Sequence, residues 1–209
     1  MKKYRDHYFQ KAKQDHYPAR SVYKLQEIDR KFFLFRPGQR VLDLGAAPGS
    51  WALYAAKRVG HSGRVLAVDR QMVDRDWPQQ VEFYQADVLE PGADLLARLE
   101  VMAPFDVLVS DLAPKTTGIK LRDQTLSCEL ARAAFDFCPK RLAVGGKFAA
   151  KVFNGPDVQE LLADMRREFA KVRGFKPKSS RQESKESFLL GLGFRSRDRN
   201  AEPEARGRE

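Results

Sequence analysis

Short strand-like segments alternate with amphipathic helix-like segments along most of this 209-residue chain. Runs of apolar and β-branched residues predict five strands: RVLDLG, RVLAVD, VEFYQAD, FDVLVSD and GKFAAKVF. Strands separated by helices predict an α/β fold, in which a parallel sheet is covered by helices on both faces. Two further strands, near VRGFK and ESFLLGLGF, lie too close together for a helical crossover, so we expect them to pair antiparallel at the sheet edge.

The predicted helices fill the gaps between these strands. They cover residues 18–35, SWALYAAKRV, the segment around LLARLEVM, residues 122–142 and VQELLADMRREFAKV. Cys128 and Cys138 would share the long helix at 122–142, about 15 Å apart along its axis, which is too far for a disulfide. The cysteines are unpaired, and the sequence has no run like a signal peptide or a membrane span. These features predict a cytoplasmic protein that does not bind a membrane. No Cys/His cluster has metal-site spacing, so no metal is expected.

Three regions differ in composition. Residues 1–17 form a basic N-terminal extension, and residues 18–194 hold all the predicted elements of one domain. Residues 195–209 are charged and lack hydrophobic periodicity, so they are predicted to be a disordered tail.

The positive charge of the chain is concentrated in two short segments. The net charge is +10, and residues 1–24 and residues 171–185 each contribute +5. The remaining residues balance, with 25 basic and 25 acidic side chains. This distribution favours a surface that faces a polyanion, with simple solubility as the alternative.

Charged residues stand near the ends of the five predicted strands. They are Asp43, Asp69, Asp87, Asp111 and Lys151. Each one alone could be a polar strand terminus or a helix N-cap, but together at one edge they predict a ligand site, because open α/β sheets bind ligands outside the carboxyl ends of their strands. Lys151 lies between apolar residues, and a buried ammonium group is rarely left unpaired, so we expect carboxylates to meet it there.

The turn DLGAAPGSW after the first strand shapes the predicted pocket. Gly45 and Gly49 permit close backbone approach, but their GxxxG spacing is not the GxGxxG of a nicotinamide-binding fold. Asp43 directly before the turn would repel a pyrophosphate and suit a cationic ligand. Asp69 is placed to accept hydrogen bonds from ribose hydroxyls, and Asp87 to accept one from the adenine amine. These features favour S-adenosylmethionine and disfavour a nicotinamide oxidoreductase.

Five motifs in a fixed order resemble those of a known family. RSVYKLQEID, DLGAAPGSW, SDLAPKTTG, KVFNG and SKESF are similar to the motifs of the FtsJ/RrmJ-type ribosomal RNA large-subunit 2′-O-methyltransferases, over residues 17 to 193. The resemblance implies a Rossmann-like S-adenosylmethionine-dependent methyltransferase fold with a mostly parallel seven-stranded sheet. It implies a catalytic set of Lys24, Asp111, Lys151 and Glu186. The donor-binding positions that it implies are Gly49, Trp51, Asp69, Asp87 and Asp111.

The resemblance also implies an activity. A methyl group would pass from S-adenosylmethionine to the ribose 2′-hydroxyl of a uridine in 23S ribosomal RNA, either as free RNA or within the 50S subunit. Our hypothesis is that Lys151 is the general base or proton relay, held by Asp111 and Glu186, while Lys24 orients or electrostatically assists the nucleophile. A monomer is expected. Two alternatives remain open at this point: the same chemistry on transfer RNA, and a non-catalytic RNA-binding factor of ribosome assembly.

Three residues depart from the family pattern. Ser50 replaces a common second glycine, Lys115 stands where a small polar residue is usual, and Ser187 replaces a bulkier residue. None of them removes a predicted catalytic residue, so they bear on specificity more than on activity.

Overall fold

The computed structural model describes residues 2–180 and 184–195. The strands are β1 (Arg40–Leu44), β2 (Arg64–Asp69), β3 (Val81–Gln85), β4 (Phe105–Ser110), β5 (Leu142–Phe153), β6 (Phe169–Phe175) and β7 (Glu186–Phe194). The helices are α1 (Lys2–Gln14), α2 (Val22–Phe32), α3 (Ser50–Val59), α4 (Ala93–Met102), α5 (Lys120–Phe135), α6 (Cys138–Arg141) and α7 (Val158–Glu168). Most of the predicted tail at 195–209 lies outside the described residues.

All seven strands form one sheet in the order β3-β2-β1-β4-β5-β7-β6. The five strands from β3 to β5 run parallel. β7 runs antiparallel to both β5 and β6, and β6 forms the edge of the sheet. The predicted α/β architecture, with its antiparallel pairing at one edge, is confirmed.

Helices cover both faces of the sheet and bury its apolar side chains. α4, α5 and α7 pack on one face, where Leu99, Phe135 and Met165 join the core. α2 and α3 pack on the other face through Ile28 and Ala55. Because both faces are covered, the central strands are almost continuously apolar, as expected for a parallel sheet.

Two predicted helix boundaries are wrong for identifiable reasons. The helix predicted at 122–142 is two helices, α5 and α6, because the ring of Pro139 would clash with the carbonyl of Phe135 in a continuous helix. Cys128 and Cys138 therefore lie on different helices, where both are buried and free. The helix predicted to end in FAKV stops at Glu168, because these four residues begin β6 and pair with β7.

The helix predicted at 18–35 also begins later than expected, at Val22. Ser50 at the start of α3 accepts a hydrogen bond from the Ala19 N–H at 2.8 Å and donates one to the Ala19 carbonyl at 3.1 Å. These bonds hold the backbone before α2 in a turn. They also bring α2, which carries Lys24, to the N-terminal end of α3.

Candidate active site

A cleft of about 590 Å³ opens at the carboxyl ends of the first four strands. Four of the seven predicted donor-binding residues line it: Gly45, Asp69, Asp87 and Asp111. Each of them lies at the end of a different strand or within two residues after it, so the parallel order of β3, β2, β1 and β4 brings them together. The cleft lies where open α/β sheets bind their ligands.

Backbone hydrogen bonds fix two of the cleft carboxylates. Asp69 accepts bonds from the N–H groups of Ala47, at 2.9 Å, and Gln71, at 2.8 Å. Asp87 accepts a bond from the N–H of Leu89 at 2.9 Å. A carboxylate oxygen has two lone pairs, so both side chains keep acceptor capacity for a ligand in the cleft.

Gly45 allows the turn after β1 to pack closely against the end of β4. Its φ is +82°, and a Cβ there would lie 2.9 Å from the side chain of Leu112 and 3.0 Å from its backbone nitrogen. A larger residue would push the turn away from Asp111, which precedes Leu112. The requirement for glycine is therefore one of space as well as backbone conformation.

Asp43 is fully buried within β1 and does not line the cleft. Its carboxylate oxygens make no hydrogen bond of ordinary geometry with any described residue. Burial raises the pKa of Asp43 well above its usual range, and the charges of Asp111 and Asp69 raise it further, against a smaller opposing effect of the Ala52 N–H. Asp43 thus lies behind the cleft and makes no surface contact with a ligand there.

Gly49 and Trp51 also lie outside the cleft lining. Gly49 has φ +106°, and a Cβ there would lie 2.8 Å from the ring of Trp77 and 3.2 Å from the Arg75 guanidinium. Trp77 in turn stacks on Phe83 with 5.5 Å between the ring centroids. Gly49 is therefore needed to let the segment after β2 cover the turn.

Trp51 belongs to the core between α2, α3 and β7. It is 2% exposed, and its indole N–H donates to the Ser21 carbonyl at 3.0 Å. Its ring lies 5.8 Å from that of Phe188. A donor-binding role for Trp51 and Gly49 stays a prediction from the resemblance. Neither residue lines the cleft, so such a role would consist in holding the turn after β1 in place.

The buried ammonium of Lys151 is paired with Asp111, as the sequence predicts. Its Nζ lies 2.9 Å from Asp111 Oδ1 and donates to the Asp111 carbonyl oxygen at 2.7 Å. Lys151 is 7% exposed and lies on β5 between the fully buried Ala150 and Val152. The strand thus carries the amine to the edge of the cleft, because Asp111 is also a cleft residue.

Glu186 contacts Lys24 rather than Lys151, which corrects part of the predicted arrangement. Lys24 Nζ lies 2.5 Å from Glu186 Oε1, and the Ser180 hydroxyl donates to the same oxygen at 2.8 Å. In the β5–β7 register, Glu186 is paired with Phe153 and Lys151 with Phe188, so the two charged residues are diagonal neighbours on one face of the sheet. The four predicted catalytic residues therefore form two adjacent ion pairs.

The pKa of Glu186 is lowered from its ordinary value of 4.5. Burial would raise it, but the Lys24 charge and hydrogen bond, the Ser180 hydrogen bond and the Lys151 charge outweigh burial. Glu186 is therefore ionised at neutral pH. Ser180 was not predicted as a site residue, since nothing in its sequence context separates it from neighbouring loop serines.

We predict that the Lys24–Glu186 pair stabilises the fold at neutral pH and ceases to do so in acid. A depressed carboxyl pKa contributes stability above the unfolded value near 4.5 that is lost as pH falls through the lower folded pKa. Urea unfolding of the natural protein and of Glu186→Gln at pH 7 and pH 3 measures this. The difference in unfolding free energy should shrink at pH 3, and a constant difference would contradict the prediction.

The three departures from the family pattern have different surroundings. Ser50 ties Ala19 to α3, as described above, and Ser187 donates a hydrogen bond to Asn154 Oδ1 at 2.5 Å. Lys115 lines the cleft together with Arg122 of α5, which was not predicted as a site residue. Lys115, Arg122 and Arg70 thus add positive charge to the cleft lining beside its carboxylates.

Comparison with known proteins agrees with this geometry. Residues 17–194 match the model of the family described as FtsJ-like methyltransferase. A protein of Nitratidesulfovibrio vulgaris, named ribosomal RNA large subunit methyltransferase E, is 56% identical over 195 residues, which are 93% of this chain and 96% of the relative. This chain belongs to the FtsJ-like methyltransferase family. The equally named protein of Bdellovibrio bacteriovorus is 49% identical over 189 residues, covering 90% of this chain and 96% of that one.

Solved structures show the same fold for this FtsJ-like methyltransferase. A Plasmodium falciparum protein described as a ribosomal RNA methyltransferase aligns with a TM-score of 0.74 at 26% identity, over 87% of this chain and 100% of that one.

In residues 2–180 and 184–195, no group of three His, Cys, Asp or Glu side chains could hold a metal ion. Within the same described residues, no helix has the length and apolar character to cross a membrane.

Proposed function

We propose that this FtsJ-like methyltransferase transfers a methyl group from S-adenosylmethionine to the ribose 2′-hydroxyl of a uridine in large-subunit ribosomal RNA. The observation that carries the proposal is the Lys151–Asp111 ion pair, whose Asp111 lines the cleft, with the Lys24–Glu186 ion pair beside it. The names of the two bacterial relatives support the ribosomal substrate. Relatives at this level of identity commonly keep the same active-site chemistry.

The cleft has the properties that a cationic nucleoside donor needs. Its volume of about 590 Å³ suits a ligand of this size. Asp69 and Asp87 offer acceptors for ribose hydroxyls and an exocyclic amine, and Asp111 places a further carboxylate in the cleft lining. When bound, S-adenosylmethionine supplies a methyl group activated by a positively charged sulfur.

The chain's own residues would align the acceptor hydroxyl and take its proton. The Lys151 amine would accept the hydroxyl proton at Nζ, and the ammonium that forms pairs with Asp111, whose Oδ1 lies 2.9 Å away. Glu186 adds a second negative charge on the same face of the sheet, while its own partner, Lys24, orients the hydroxyl. Holding these groups in place lowers the activation barrier in two ways: it aligns the hydroxyl with the methyl group, and it positions a general base beside the hydroxyl.

Asp69→Ala should weaken donor binding without unfolding the protein. The substitution removes the carboxylate proposed to hold the ribose hydroxyls and frees the Ala47 N–H, so we expect the donor dissociation constant to rise about tenfold or more. Isothermal titration with S-adenosylmethionine measures it. Asp94→Ala, an exposed change on α4, is the matched control, and equal dissociation constants for the two variants would remove Asp69 from the proposed site.

A methyl-transfer assay separates the proposed function from its alternatives. Purified protein and tritium-labelled donor would be incubated with large-subunit ribosomal RNA, with assembled 50S subunits and with transfer RNA. Label in ribosomal RNA or 50S subunits supports the proposal, and label in transfer RNA alone would replace the substrate. No label in any of them, with donor binding intact, would favour a non-catalytic assembly factor.

A ribosomal RNA substrate implies that the protein acts in the cytoplasm, and we propose that it acts there as a monomer.

A further inference from the structure

A second groove, which we call the α2 groove, lies on the outer face of α2. Its volume is about 570 Å³, and it shares no lining residue with the donor cleft. α2 supplies Arg30 and Lys31, α1 supplies Lys11, and the end of β6 with the following loop supplies Phe175 and Lys176. Three segments far apart in sequence thus bring five Lys/Arg residues and one Glu to one concave surface.

The single carboxylate of the α2 groove already has partners. Glu27 accepts hydrogen bonds from the backbone N–H groups of Lys178, at 2.7 Å, and Ser179, at 2.8 Å. Arg20 also holds this loop by donating to the Ser179 carbonyl at 2.9 Å. The loop wall is therefore fixed to α2, and the groove stays strongly positive for an anionic ligand.

Aromatic rings lie beside the ammonium groups of the α2 groove. Lys31 Nζ is 4.6 Å from the centroid of the Phe175 ring, and Lys11 Nζ is 5.0 Å from that of Tyr23. The Phe175 ring also packs edge-on against Phe32 at 5.5 Å, which holds it in a defined position. Alternation of cations with ring faces suits unpaired nucleotides, whose phosphates need charge and whose bases need a stacking partner.

The α2 groove is continuous with the predicted catalytic residues. Lys24 and Lys31 are seven residues apart on α2, which is about 10 Å along the helix axis. Glu27 lies between them and holds the loop at Ser179. The next residue, Ser180, donates to Glu186. A strand whose ribose reached Lys24 could therefore continue along α2 into the groove.

We propose that the α2 groove binds unpaired RNA nucleotides that adjoin the methylated nucleotide. The inference rests on the proposed function, because it assigns the groove to the same RNA substrate. It divides recognition between two places: the target ribose at the two ion pairs, and neighbouring phosphates and bases along α2. Duplex RNA would present its phosphates but not its base faces to Phe175.

Binding of a single-stranded oligouridine of twelve nucleotides tests the proposal. Arg30→Gln/Lys31→Gln should weaken binding on the order of tenfold and lower the slope of log affinity against log salt by about 1.4, since each lost single-strand phosphate contact contributes about 0.7. Lys57→Gln/Lys140→Gln removes two exposed lysines elsewhere and is the matched control. Phe175→Leu keeps apolar volume but removes the ring, and should weaken binding about fivefold or more.

Several outcomes would overturn the proposal. Equal losses in the two double variants would mean that only net charge matters. Unchanged affinity in Phe175→Leu, or equal binding of a twelve-base-pair RNA duplex, would mean that the surface does not take unpaired bases. Failure of the proposed function is distinguishable from failure of the groove proposal. If the natural protein binds oligouridine through these residues but methylates no RNA, the groove proposal stands and the proposed function is wrong.

Discussion

Lys151→Met should lower the rate of methyl transfer by about 10²- to 10⁴-fold, which is the usual contribution of a positioned general base. Methionine is apolar and of similar length, so it fills the space of the Lys151 side chain but cannot accept a proton. The S-adenosylmethionine dissociation constant should change little, because Lys151 does not line the cleft. A single-turnover assay with labelled donor measures the rate, and isothermal titration measures binding.

The substitution also leaves Asp111 without its partner. We expect the free energy of unfolding to fall by about 1–3 kcal/mol, the cost of an unsatisfied polar group, moderated because Asp111 faces the cleft and can be hydrated. Lys147→Met is the matched control, since Lys147 also lies on β5 and donates to the Phe33 carbonyl, away from the site. Equal loss of activity in both variants, or parallel loss of activity and donor binding in Lys151→Met, would make Lys151 structural.

Lys24→Met and Glu186→Gln should each lower methyl transfer by about 10²-fold, and together by far less than the product of the two. The residues form one ion pair, so the first substitution already removes most of what the second removes. The coupling free energy from kcat/KM of the four proteins should be about 1–3 kcal/mol.

A control pair shows what independent residues would give. Lys24→Met combined with Lys147→Met should be additive within about 0.5 kcal/mol, because Lys147 touches neither member of the pair. Additive losses in Lys24→Met/Glu186→Gln would mean that the contact between these residues has no role in the reaction.

The sequence predicts the fold and the cleft where local signals and topology agree. Runs of apolar residues with helices between them require a parallel sheet, and parallel strands bring their carboxyl ends to one edge. That rule alone is enough to gather Asp69, Asp87 and Asp111 around one cleft. The pairing of Lys151 with Asp111 follows as well, because β4 and β5 are neighbours and a buried ammonium needs a carboxylate.

Contacts between distant segments could not be predicted in the same way. Lys24 meets Glu186 because α2 packs beside β7, and Gly49 lies under Trp77 because the segment after β2 folds back over the turn. Asp43 has the spacing of a ligand contact, yet its side chain is buried within β1. Periodicity shows which residues share an element but not which way a side chain near a strand end will point.

Site mapping of the methyl group tests the central claim most directly. The claim is that the Lys151 amine, held beside the cleft, accepts the proton of a ribose 2′-hydroxyl during methyl transfer. Large-subunit ribosomal RNA would be incubated with tritium-labelled donor and either the natural protein or Lys151→Met, then digested to nucleosides. The account predicts label in 2′-O-methyluridine with the natural protein and almost none with Lys151→Met. Label on a base, or undiminished 2′-O-methyluridine with Lys151→Met, would contradict it.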